Sequence, residues 1–184
     1  ELNETANSTL LHGYTSAQGD LETRKVIANS INTRFGVNIN ENGIYITCGA
    51  AASLSISLKA VCNTGDEVIV FAPYFTEYRV FIANAGASIV ESKPQDITFQ
   101  IDLIDFESKI TPKTKAVIIN SPNNPSGVVY TEETIKGVCD ILNKKSTEYG
   151  NPIYLIADEP YRELVFGDIK VPYLMNYYKN SLIC

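Results

Sequence analysis

Apolar residues recur along this chain at two spacings that alternate with one another. Ile27, Ile31 and Phe35 stand four residues apart, as on one face of a helix, and Gly36 follows where a left-handed residue would end it. The stretch "GIYITCG" (43–49) predicts a short strand, after which Ala51, Leu54, Leu58 and Val61 give the next helix an apolar stripe. The turn "NTGD" (63–66) leads into "EVIVFA" (67–72), a continuous apolar run of the kind found in strands buried on both faces. Tyr78, Phe81, Ile82 and Ala85 mark another helix, closed by Gly86, and a strand follows at 87–92.

A looser region without a clear period then gives way to "KAVIIN" (115–120). Further on, Thr131 is placed to cap a helix whose first turn holds Glu132 and Glu133 and whose buried face is Ile135, Val138, Cys139 and Leu142. "PIYLIAD" (152–158) predicts a strand that ends on an acid, and "SLIC" (181–184) the beginning of one more. Strand and helix thus alternate from residue 44 onward, the order of a three-layer α/β domain with a mostly parallel sheet. Such sheets bind ligands beyond the carboxyl ends of their strands, so function is to be sought just after each strand.

Composition narrows the chemistry. With 184 residues, 45% hydrophobic and 20% charged, the chain reads as one soluble globular domain. A net charge of −6 leaves no clustered Lys and Arg for nucleic acid, and no apolar run has the length of a membrane span. Cys48, Cys62, Cys139 and Cys184 have neither CxxC spacing nor the density of a disulfide scaffold, which suits reduced thiols in the cytoplasm. With His12 as the single histidine, a His-rich metal centre is excluded and a Ser-His-Asp triad would have to use that residue.

Four strand ends carry candidate chemistry, and each allows two readings. Cys48-Gly49-Ala50-Ala51 opens a helix with small residues, so its amides would either cradle a phosphate or permit close packing of helix on strand. Pro73-Tyr74-Phe75-Thr76-Glu77-Tyr78 holds three aromatics in six residues, and Phe75 would either stack on a flat ring or cap the core. "SPNNPSG" (121–127) is too dense in Pro and Asn for an ordinary turn; it is either a rigid linker or a mount for a side chain. Asp158 ends a buried strand, where an acid needs a positive partner: a cationic ring nitrogen, a nearby Arg, or a helix end to cap. One planar, phosphorylated, pyridine-like ligand would use all four.

The same residues carry a family resemblance. "SPNNPSG" resembles the Asn-Pro-x-Gly signature of the class I/II aminotransferases, the fold-type I pyridoxal-phosphate enzymes, and "DEPYREL" (158–164) resembles their Asp-x-x-Tyr signature. "HGYTSAQGDLETR" (12–24) and the run 46–78 match the preceding stretches in the same order. The resemblance implies that the amides of Gly49, Ala50 and Ala51 hold the phosphate of pyridoxal 5'-phosphate and that Phe75 stacks on its ring. It also implies that Asn124, in a mount with a cis peptide before Pro125, bonds the phenolic oxygen and lies near the substrate carboxylate. Tyr161 would donate to that same oxygen, and Asp158 would pair with the ring nitrogen. Tyr14 would reach the phosphate of a neighbouring subunit, making the intact enzyme a homodimer.

The resemblance also implies parts that this chain does not display. The family's Schiff-base lysine lies in a turn after the strand that "SLIC" begins; Lys170 and Lys179 precede that strand, and neither takes the role. The expectation is therefore a partial large domain over residues 1–184, without the family's amino-terminal arm, lysine segment or small domain. It would form most of a cofactor cup and would not by itself move an amino group from an amino acid to a 2-oxo acid. Two alternatives stay open: a lyase or synthase on the same scaffold, and a non-catalytic pyridoxal-phosphate-binding regulatory module.

Overall fold

The computed structural model describes residues 13–184; His12 lies outside them. Contacts divide the chain into two compact units between Thr47 and Cys48.

In the first unit, helix α1 (Leu21–Phe35) starts at Asp20, whose side chain accepts from the Thr23 amide, and stops at Gly36 with φ 68°. Its buried residues are Arg24 and Ala28, while Ile27, Ile31 and Phe35 are half-buried. Arg24 is buried because its guanidinium has backbone acceptors, the carbonyls of Glu41 at 2.6 Å and Gly19 at 3.3 Å.

The strand expected at 43–49 does not form. Glu41–Gly43 is a turn of 3₁₀ helix, and the extended residues after it join no ladder. Ile46 N donates instead to the Gln18 carbonyl at 3.0 Å. Tyr45 and Ile46 stay exposed, and no strand among the described residues lies alongside to satisfy a second row of amides.

The second unit is the three-layer α/β domain that the alternation predicts. Its strands are β1 (Glu67–Phe71), β2 (Ser88–Ser92), β3 (Thr114–Asn120), β4 (Tyr154–Asp158) and β5 (Ser181–Ile183). They lie in the order β2-β1-β3-β4-β5, and every neighbouring pair is parallel. Along each strand successive side chains point to opposite faces, which splits the core in two. Ile69, Phe71, Val117, Ile119, Leu155 and Ala157 pack with helices α4 (Leu103–Lys109) and α5 (Glu132–Tyr149). Val68, Val70, Ala116, Ile118 and Ile156 pack with α2 (Ala50–Val61) and α3 (Tyr78–Asn84).

Local chemistry sets most of the element ends. Thr131 caps α5 by accepting from the Thr134 amide at 3.1 Å, and the four residues of its apolar stripe are all buried. In the α2 stripe Leu54 and Leu58 are buried, Val61 is half-buried and Ala51 is exposed at the helix mouth. Helix α4 shows no period in the sequence. Its seven residues offer two buried or half-buried apolar positions, Leu103 and Phe106, and its start is fixed by Asp102, which accepts from the amides of Ile104 and Asp105.

Candidate cofactor site

The carboxyl ends of β1, β3 and β4 open onto one cleft of about 260 Å³. Ala50, Ala51, Phe75, Asn120, Asn124, Asp158 and Tyr161 line it, together with Leu54, Glu77, Phe81 and Pro160. Six of the expected site residues are therefore together: Ala50, Ala51, Phe75, Asn124, Asp158 and Tyr161. Gly49 is the N-cap residue of the helix that supplies the two alanines. Tyr14 is exposed and belongs to the first unit.

The α2 N-terminus has the form of an anion cradle. Gly49 adopts φ 112° and ψ 171°, a conformation that side chains disfavour, and no side chain caps the helix end. The first amides of a helix lack partners within it, so at this end they are directed outward with the positive pole of the helix dipole.

Asp158 is 5% exposed, yet neither the Arg pairing nor the capping role open at the sequence level is what it does. Its Oδ2 accepts from the Tyr78 hydroxyl, and its Oδ1 is buried with no hydrogen-bond partner. Burial raises the carboxyl above the usual carboxylate range, and the Tyr78 hydrogen bond opposes that rise in part. The Tyr78 hydroxyl is itself raised, first by burial and then by the charge of Asp158. An acceptor buried without a partner is costly, and a cationic N–H entering the cleft would satisfy it.

"SPNNPSG" is a mount built from its own side chains. Asn123 Oδ1 accepts from the Ser126 amide at 3.1 Å and its hydroxyl at 2.7 Å. The Asn123 backbone bonds both Val128 and Gly127, and Ser121 Oγ accepts from Tyr130 N at 3.0 Å. The peptide before Pro125 is cis, as are those before Pro73 and Pro122. These bonds hold Asn124 at the cleft wall, where its Nδ2 lies 3.4 Å from the Tyr161 hydroxyl.

Two residues of the site escape the sequence reading. Asn120 reads as the end of a strand, but its Nδ2 donates to the Asp158 carbonyl and its Oδ1 accepts from Asn124 N at 2.6 Å. Tyr78 reads as part of a helix stripe; its ring lies parallel to Tyr74 with centroids 6.4 Å apart and meets Phe75 edge-on at 5.7 Å. The signal that could have found it is the hydroxyl, since a tyrosine in a core stripe needs a partner for it.

A second cleft, of about 480 Å³, shares Asn124 and Tyr161 and has Val129, Leu164, Val165, Phe166 and Ile169 in its walls. Among the described residues no group of three or more His, Cys, Asp or Glu is placed to hold a metal ion, and no helix is long and apolar enough to cross a membrane.

Comparison with known proteins places the chain's family and fold. The family model for class I and II aminotransferases matches residues 1–184. An aspartate aminotransferase of Thermotoga maritima is 37% identical over 157 residues, which are 84% of this chain and 40% of that protein. A probable aspartate/prephenate aminotransferase of Rhizobium leguminosarum is 35% identical over 159 residues, 85% of this chain and 38% of the relative. The crystal structure of an aminotransferase from Eubacterium rectale superposes with a TM-score of 0.94 at 52% identity, over 100% of this chain and 48% of its own. This chain thus spans less than half the length of these relatives. With a family model matched from end to end and the fold shared, the chain belongs to the class I and II aminotransferase family.

Proposed function

We propose that this chain forms most of the pyridoxal 5'-phosphate cup of an aminotransferase that moves an amino group from an amino acid to a 2-oxo acid. The observation that carries the reading is Asp158 Oδ1, a buried carboxylate oxygen without a partner in a cleft that also holds a helix N-terminus with no side-chain cap. The donor set fits this cofactor at three points: amides for its phosphate, an aromatic for its ring, and an acid for its ring nitrogen.

In this reading the amides of Gly49, Ala50 and Ala51 hold the phosphate and Phe75 packs on the ring. Asn124 and Tyr161 bond the phenolic oxygen, and Asn124 also orients the substrate carboxylate. Asp158 keeps the ring nitrogen protonated. When bound, the cofactor supplies an electron-withdrawing ring that makes the substrate Cα proton acidic. The amino-acid partner is of the aspartate-aminotransferase type, a choice supported by the names of the relatives. Residues 1–184 constitute part of the large domain of a cytoplasmic homodimer, with Tyr14 reaching the phosphate held by a second subunit. In this reading neither Lys170 nor Lys179 takes the place of the family's cofactor-anchoring lysine, so retention of the cofactor by residues 1–184 rests on the contacts named above.

The test is retention. The purified chain is incubated with pyridoxal phosphate, freed of excess and read by absorbance, with Asp158→Ala as control. Retention that the substitution abolishes supports the reading; equal absorbance in both proteins, or none in either, overturns it.

A further inference from the structure

Resting on that reading of the cleft, we propose that Tyr78 is a positioning residue which keeps the proton on the nitrogen of the bound ring rather than on Asp158. The Asp158 carboxylate has two oxygens in different circumstances. Oδ2 accepts from the Tyr78 hydroxyl, and Oδ1 is buried with no partner. Tyr78 is 1% exposed, on the first turn of α3, with its ring parallel to Tyr74 and edge-on to Phe75, so its hydroxyl has little freedom to point elsewhere. One donor thus sets the plane of the carboxylate and leaves a single acceptor for the ligand.

The same bond decides where a shared proton rests. A carboxylate in an apolar cleft becomes more basic, and a hydrogen bond to its charged form makes it less so. Tyr78 opposes the burial of Asp158 in this sense. Around the pair, the other titratable groups are Tyr161 and Glu159 after β4, Tyr130 before α5, Cys184 at the end of β5, and Glu77 on the cleft wall. None of these is a cation, and Tyr78 is the side-chain donor that the carboxylate has, since Oδ1 is without a partner. Without the hydroxyl, Asp158 would compete better for the proton, and the ring nitrogen would be neutral over a wider range of pH.

Tyr78→Phe removes one oxygen and retains the ring that contacts Tyr74 and Phe75, so the variant keeps the packing of the core. Wild type and Tyr78→Phe are each loaded with pyridoxal phosphate labelled with ¹⁵N in the ring, and the nitrogen resonance is followed against pH. The expected result is a protonated nitrogen in wild type that loses its proton about one pH unit lower in the variant, a tenfold change in proton affinity. Retention of the ring is expected to weaken about tenfold. Coincident titrations in the two proteins would overturn the inference while leaving the cofactor reading intact. Failure of wild type to take up the ring would overturn both.

Discussion

The side-chain amide of Asn120 donates to the backbone carbonyl of Asp158 over 2.9 Å, joining the ends of β3 and β4 at the one register position where both strands meet the cleft. Its Oδ1 accepts from the Asn124 amide at 2.6 Å, so a residue that is 4% exposed holds both an acid and an amide of the site. Asn120→Leu would leave a buried carbonyl and a half-buried N–H without partners. It is expected to destabilise the chain by about 2–6 kcal/mol, at about 1–3 kcal/mol per unsatisfied group. Urea denaturation measures this, and an unchanged midpoint would show that water or a neighbour replaces the amide.

Asp158→Asn separates stability from binding. Because burial raises the folded-state pKa of Asp158, the folded chain holds that proton more tightly than the unfolded chain. The stability this contributes is present below the unfolded carboxyl pKa and is lost as pH rises through the folded value. At neutral pH the buried charge therefore weighs against folding, and Asp158→Asn is expected to unfold at higher urea than wild type. The advantage should shrink as pH falls into the range where wild-type Asp158 is protonated. Ring retention should fall roughly 10–100-fold, the value of a hydrogen bond to a charged group. A variant less stable than wild type at every pH would contradict the argument.

Much of this site is legible in the sequence because its parts sit where parallel strands end. The strands themselves are legible too, since β1, β3 and β4 are buried on both faces and read as unbroken apolar runs. The failures share one cause, which is that a local pattern does not name its partner. Residues 44–47 have the composition of a strand, but a strand exists only beside another. Asn120 and Tyr78 look like the end of one element and the stripe of another, and their roles arise from contacts 38 and 80 residues away in the chain. Helix α4 is too short to show a period, and Asp102 is its sole clear local sign.

Gly49→Ala tests the cradle. A Cβ at this position meets nothing within 4 Å, so the cost comes from the backbone, whose φ of 112° lies in a region that L side chains rarely adopt. The substitution is expected to destabilise the chain by about 1–3 kcal/mol. By turning the first amides of α2 it should also weaken retention of pyridoxal phosphate. Retention of pyridoxal, which has the ring without the phosphate, should change little. Equal losses for both ligands would mean that the phosphate does not rest on this helix end.

Arg162 governs the loop that presents Tyr161. Its guanidinium pairs with Glu159, with the two side chains 11% and 10% exposed, and donates to the carbonyls of Val171 and Pro172 at 2.9 Å each while lying over the Tyr173 ring. Pro160 and Tyr161 lie between the two members of the ion pair, so the pair closes the turn that carries the tyrosine to the cleft. Arg162→Ala would strand the Glu159 charge and leave two carbonyls without their donor. Breaking a buried pair from one side costs about 3–5 kcal/mol. Arg162→Lys restores the charge but not the planar fork that reaches Glu159, Val171 and Pro172 together, so it should recover only part of the loss. Limited proteolysis is expected to cut residues 160–171 faster in both variants, with Arg162→Ala the faster of the two. Wild-type cleavage rates in Arg162→Ala would show that the loop is held by its apolar residues instead.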